Sequence, residues 1–209
     1  GESFSEEELE ELEVTGEELR REAAEWMKQA SLLQESFRTG FWNDGEGYLY
    51  DHLDRDGTPD EQIRPNALLA MMVSLDEEND FAGNPDVAEF IPEVQFKPLL
   101  AEEMKDGIVD KALESVILNH GVTSLTPKDP DFHPYHLNLE KYFYDEAYHN
   151  GDVWEWLTGP AIRCMTAVGR YEEARALFAP LVDEILKEAC VGSLREIRDG
   201  KFTPGKEEF

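Results

Sequence analysis

The stretch YDEAYHNGDVWEW, residues 144–156, sets two Trp, two Tyr, one His, one Asn and four carboxylates within thirteen positions. A hydrophobic core has no use for that mixture, because buried carboxylates and amides are costly unless each finds a partner. A plain surface loop has no use for Trp154 and Trp156, since indoles are seldom left bare to water without something to cover them. Aromatic faces beside acids and amides are what a carbohydrate cleft requires: rings stack on a pyranose while polar groups pair with its hydroxyls. The i, i+2 spacing of Trp154 and Trp156 turns them to different faces, so one is expected to pack and the other to face the cleft. Asp145 and Glu146 could supply a cleft carboxylate or cap the helix that follows.

Three other sets of residues carry candidate chemistry. Arg64-Pro65-Asn66 joins a guanidinium and an amide, both able to hydrogen-bond a ligand, to a proline suited to the first turn of a helix. His52-Leu53-Asp54-Arg55-Asp56-Gly57 has the flavour of a calcium loop, but His52 takes the place of the first acidic ligand and Ile63 that of the closing Glu. His133 and His136, at i, i+3 near Asp129 and Asp131, lack a third defined ligand for zinc. No metal or cofactor is implied.

The elements that must position these groups are mainly helical. Thr15 with Glu18 makes a capping box, and Leu19, Ala23, Trp26, Met27, Ala30, Leu33 and Phe37 recur at helical spacing up to Thr39-Gly40. This predicts one long amphipathic helix after an acidic lead-in over residues 1–15. FWNDGEGYLYD flanks Asn43-Asp44-Gly45 with aromatic residues and predicts a small hairpin or ordered loop, with little strand elsewhere. Pro65 opens a helix toward Ser74; Asn84-Pro85, Pro92 and Pro98 among acids then mark residues 76–107 as an irregular insertion with short helical turns. Ile108, Ala112, Leu113, Val116 and Ile117 predict a helix stopped at Asn119-His120-Gly121. A helical pattern resumes from Val153, is kinked or restarted at Gly159-Pro160, and is cleanest from Tyr171 to Cys190. There Ala174, Leu177, Phe178, Leu181, Val182, Ile185 and Leu186 form an apolar stripe. The sum is an all-α chain of helix pairs joined by long, chemically loaded loops, with residues 16–209 as a single helical domain.

Lys plus Arg number 19 against 47 Asp plus Glu, a net charge of -28. Such a surface repels the phosphates of nucleic acids and anionic membranes, so neither is expected as a partner. It also keeps a protein hydrated in concentrated salt; a salt-adapted source and an ordinary acidic protein both fit. Hydrophobic residues make up 41% and fall in periodic blocks, which argues for a folded core rather than disorder. Cys164 and Cys190 each sit in an apolar helical run and read as reduced core thiols of a cytoplasmic protein. No apolar run is long enough to cross a bilayer as a helix, and the Glu-rich start is the opposite of a basic signal peptide.

Taken in order, FWNDGEGYLYD, IRPN, GVTSLTPKDP, YDEAYHNGDVWEW with LTGP, and GSLREIRDG resemble the C-terminal glucosidase region of glycogen debranching enzymes, the amylo-α-1,6-glucosidase family. The resemblance implies an (α/α)6 toroid of six helical hairpins, of which this chain is similar to the later half. It also implies inverting hydrolysis of an α-1,6-linked glucose at a glycogen branch, with an α-glucan or maltooligosaccharide as substrate. Inversion needs a protonated acid on the leaving oxygen and a carboxylate base that activates water on the opposite face, roughly 6.5 to 9.5 Å away.

GSLREIRDG resembles the family's GS-x-PE segment, whose Glu acts as base, and this gives that role to Glu196; Arg195 stands where the family has Pro. The alternative is a solvated salt-bridged loop of Arg195, Glu196, Arg198 and Asp199. Tyr148, His149 and Asn150 resemble the YHxG element that lines the glucose pocket, and Arg64 and Asn66 the RPN start of an inner helix at the cleft. The bland alternative for Arg64 is pairing with Asp60 or Glu61. Asp152 and Glu155 stand where the family more often reads Thr and Pro, in GTVWPW. The family's acid-bearing TWMD-like stretch and its QAW helix are not found in these residues. The chain is therefore expected to be a fragment, a subunit completed by self-association or a partner chain, or a diverged protein that binds carbohydrate or serves in assembly without cutting.

Overall fold

The computed structural model describes residues 5–80, 98–136, 144–187 and 191–201, apart from the side chains of residues 6–14, 77–80 and 144–145. The elements in order are α1 (Glu6–Phe41), β1 (Trp42–Asn43), β2 (Tyr48–Leu49), α2 (Asn66–Asp80), α3 (Glu102–Ser115), β3 (Ile117–Leu118), β4 (Gly121–Val122), α4 (Tyr144–Asn150) and β5 (Val153–Trp154). They continue with a single 3-10 turn (Glu155–Leu157), α5 (Thr158–Ala167), α6 (Tyr171–Lys187) and β6 (Ile197–Arg198). The protein is all-α with short antiparallel strand pairs, β1 with β2, β3 with β4 and β5 with β6. The chain forms two compact units, one of Gly1–Gly40 with Ser74–Leu99 and one of Phe41–Val73 with Leu100–Phe209.

In the first unit α1 begins at Glu6 and runs through Thr15, so the capping box does not start the helix. Glu is a good helix former and acids favour the positive end of the helix dipole, which lets the acidic lead-in join the helix. Arg38, in the last turn, donates from Nε to Leu99 O at 2.8 Å and from Nη2 to Pro98 O. Much of the apolar stripe faces outward: Leu19, Trp26 and Leu33, spaced seven residues apart, are 55%, 68% and 64% exposed.

The second unit opens on the hairpin that Asn43-Asp44-Gly45 signals. Asn43 Oδ1 accepts from Gly45 N at 3.0 Å, and Asn43 O accepts from Gly47 N at 2.9 Å, with Gly47 at φ 62°. This turn seats buried Tyr48, whose hydroxyl donates to Arg64 O at 2.7 Å. α2 starts directly after Pro65 and continues past Ser74 to Asp80. The stretch 76–107 is thus helical at both ends, with α3 starting at Glu102, while residues 81–97 lie outside the described residues.

Two helical expectations are corrected to strand. α3 ends at Ser115, and Ile117-Leu118 pair with Gly121-Val122 instead of extending the helix. Val153-Trp154 pair with Ile197-Arg198, and helix resumes only at Thr158, with Pro160 in its first turn. In both places a β-branched residue packs between neighbours fixed elsewhere in the unit; Val122 and Val153 are fully buried.

The core of this unit gathers Leu68 and Met71 of α2, Ile108 and Ala112 of α3, Leu125, Ala147 of α4, and Ala161, Cys164 and Met165 of α5, all fully buried. Cys164 donates to Leu68 O at 3.3 Å, and burial pushes its thiol up to about 12, so it is an inert core residue. Cys190 lies outside the described residues. In α6 the stripe read from sequence is only partly inward: Ala174 and Leu177 are buried, Phe178 and Leu186 are exposed, and Glu184 is buried at 1% exposure.

Candidate functional site

The YHNGDVW segment is held by loops from three directions, all within the second unit. Gly151 N donates to Ser124 Oγ at 2.8 Å, Thr123 Oγ1 donates to Gly151 O at 2.7 Å, and Ser124 N donates to Asp152 O at 2.9 Å. From another side, His133 N donates to Asn150 O at 2.8 Å. The approach is so close that a Cβ on Gly151 would sit 2.0 Å from His133 O, and one on Gly200 would sit 1.9 Å from Gly151 O. Glycine is required at both positions because backbone meets backbone there.

On this frame sits a cavity of about 500 Å³, lined by Asp51, His52, Asp60, Gln62, Arg64, Pro65, Asn66, Ser124, His149, Trp154, Trp156 and Leu157. Five residues picked from sequence therefore meet: Arg64, Asn66, His149, Trp154 and Trp156. Arg64 acts as a clamp. Its Nη1 donates to His149 O at 2.6 Å and to Ser124 O at 3.2 Å, and its Nη2 donates to Asn150 Oδ1 and to Gln62 Oε1, both at 2.7 Å. The ion pair it makes is with Asp51, at 3.8 Å, rather than with Asp60 or Glu61. Asn66 Nδ2 donates to Asp51 Oδ1 at 2.6 Å, and His52 Nδ1 stands 3.5 Å from Asp60 Oδ2. The cavity therefore offers carboxylates and an imidazole as hydroxyl partners beside two indoles. Both tryptophans line it, Trp154 half-buried and Trp156 exposed.

Asp51, His52, Asp60, Gln62 and Ser124 were not singled out from sequence as cleft residues. Asp51 closes the FWNDGEGYLYD motif and Ser124 lies in GVTSLTPKDP, so part of the signal was present there. His52 entered only through the calcium-like loop and Asp60 only as an alternative partner of Arg64, because the loop that brings them to the cavity has no period.

Glu196 does not line the cavity but is joined to it. Tyr148 donates from its hydroxyl to Glu196 Oε1 at 2.8 Å. The Tyr148 ring packs edge-on against Trp154 with centroids 4.3 Å apart, and Trp154 Nε1 donates to Tyr148 O at 3.0 Å. Glu196 itself is exposed. Glu146 is exposed and lies 3.6 Å from His133 Nε2, and the side chain of Asp145 lies outside the described residues.

The family model described as amylo-alpha-1,6-glucosidase matches residues 3–81 and 84–206. The chain belongs to the amylo-alpha-1,6-glucosidase family. Membership makes it a region related to the glycosidase of glycogen debranching, with a glucan as the implied substrate class. No curated protein matches the chain.

Asp152, Glu155 and Arg195, three charged residues singled out from sequence, each have an ionisable partner. Asp152, fully buried, lies 2.6 Å from His136 Nδ1, while its Oδ1 has no hydrogen-bond partner among the described residues. Burial, with some repulsion from Asp199, raises its carboxyl to about 6 against the pull of His136. A side chain so enclosed has no path to a substrate. Glu155 is buried and stands 2.5 Å from Arg198 Nε. Arg195 Nε lies 2.6 Å from Glu184 Oε1, and Arg198 Nη2 pairs with Glu184 Oε2. The two arginines flanking Glu196 are thus engaged with buried carboxylates, Arg195 half-buried and Arg198 buried, while exposed Glu196 bonds Tyr148. This pairing is also why Glu184 is buried in a helix face read as apolar.

Among the described residues, no group of three His, Cys, Asp or Glu is placed to hold a metal ion, and no helix is long and apolar enough to cross a membrane.

Proposed function

We propose that the chain carries the base side of an inverting glucosidase that hydrolyses α-1,6-linked glucose at α-glucan branch points. Glu196 is the base; Arg64, Asn66, His149, Trp154 and Trp156 line the glucose pocket, and Tyr148 and Asn150 support it through Glu196 and Arg64. The observation that carries this reading is the hydrogen bond from Tyr148 to Glu196 beside Trp154. It sets an exposed carboxylate, able to take a proton from water, next to an indole that lines the cavity. The indoles stack on sugar while Asp51, His52 and Asn66 pair with hydroxyls.

The general acid comes from outside these residues, and the fold is part of an (α/α)6 toroid. The outward row Leu19, Trp26 and Leu33 supports a further helix lying against α1, from a second copy or a partner chain. The buried, free Cys164 fits a reducing, cytoplasmic setting.

The 209-residue chain alone is expected to bind maltooligosaccharides weakly, at millimolar Kd or about 4 kcal/mol, without releasing glucose from isomaltosyl-branched glucan. Once an acid-bearing segment is added, hydrolysis appears, and Glu196→Gln lowers it by several powers of ten with little change in sugar affinity. Robust glucose release by the chain alone would sink the missing-acid argument and turn attention to Asp145, Glu146 and the cavity's Asp51. Binding with no turnover in any assembly would favour a carbohydrate-binding subunit.

A further inference from the structure

We propose that Glu184 of α6 is a positioning residue that sets where the carboxylate of Glu196 stands. The inference rests on the reading of Glu196 as base, and its test does not depend on turnover. Arg195 and Arg198 bracket Glu196 in the chain, and both reach the same carboxylate: Arg195 Nε at 2.6 Å from Glu184 Oε1, and Arg198 Nη2 on Glu184 Oε2. A four-residue segment pinned at both ends to one buried group leaves the residue inside it little freedom. A third tie comes from Glu155, whose N–H donates to Glu196 O at 3.3 Å while its side chain holds Arg198 at 2.5 Å.

Two carboxylates and two guanidiniums make this cluster neutral, and Glu155, Glu184 and Arg198 are buried. In such a cluster, removal of one charge leaves its partners uncompensated and forces the loop to move, whereas an exposed pair would exert no such hold. Glu184 is not among the residues lining the cavity, so its influence on Glu196 runs through the arginines.

The test is carbon-13 NMR of protein labelled at tyrosine Cζ, which reports hydrogen bonding of the Tyr148 hydroxyl. Glu196→Ala removes the acceptor and fixes the resonance of the unbonded ring. In Glu184→Gln the Tyr148 signal is expected to move at least half way to that position. Leu177→Ala, on the same helix and buried outside the cluster, should lower the melting temperature and leave the signal in place. A Glu184→Gln signal at the wild-type position, with stability lost as in Leu177→Ala, overturns the proposal. Should Glu184→Gln fail to fold, Arg195→Gln removes one arm only and is expected to move the signal in the same direction; an unmoved signal there overturns it equally. In a hydrolysing assembly Glu184→Gln should lower kcat with KM unchanged. A moved Tyr148 signal with unchanged kcat would keep the positioning role and remove Glu196 as base.

Discussion

Asp152 sits in surroundings that constrain its chemistry. Enclosed and only half satisfied by His136, it keeps its proton to about pH 6, where an ordinary Asp loses it near 3.8. The folded state therefore binds more protons than the unfolded chain between those values, and stability falls as pH rises through that window, by up to about 3 kcal/mol. Above about pH 6 the loss is complete and constant. Asp152→Asn cannot ionise, so its stability relative to the parent should rise from about pH 4 to about pH 6 and then level off. Denaturant midpoints across pH would test this, and parallel curves for the two proteins would show that Asp152 titrates normally. Which residues meet at the cavity was readable where types cluster in sequence, as with His149, Trp154 and Trp156. It was not readable at Glu184, because an acid amid Leu181, Ile185 and Leu186 gives no hint of two arginines folding back onto it from residues 195 and 198.

At the level of elements, local signals with a mechanism were legible. Pro65 marked the start of α2, and Asn43-Asp44-Gly45 marked the β1–β2 hairpin. The pairs β3–β4 and β5–β6 were not, since two-residue strands have no period and Ile117 and Val153 sit in runs that also suit a helix. Their pairing comes from long-range contacts, such as the isolated bridge between Thr123 and Val153, that lie outside any sequence window. The helix α1 was legible, but its burial was not. If a second helix covers Leu19, Trp26 and Leu33, light scattering should give a mass above that of one 23.9 kDa chain, and Trp26→Glu with Leu33→Glu should return it to monomer. A wild-type chain that stays monomeric at high concentration and captures no partner segment would leave α1 uncovered and remove this support for the toroid.

For the molecule as a whole, charge is the dominant fact. With 47 acidic groups offset by 19 basic ones, the folded state carries strong self-repulsion that salt screens within a Debye length of roughly 3 Å at 1 M. Molar KCl should therefore raise the unfolding temperature, and the gain should appear without any sugar present. A flat or falling melting curve with KCl would mark the surface as that of an ordinary acidic protein. Basic groups placed where they matter, Arg64, Arg195 and Arg198, are bound inside the second unit and are shielded from that screening far better than the surface carboxylates.

The ion cluster under Glu196 also makes its members depend on one another. Arg195→Pro would strip one arm from buried Glu184, and Glu155→Pro would take a carboxylate from Arg198 together with the N–H that reaches Glu196 O. Each replacement alone leaves a buried charge short of a partner, whereas the two together leave Glu184 still paired with Arg198, so the two positions are energetically coupled. The effect of a substitution at either position is therefore expected to depend on the residue at the other.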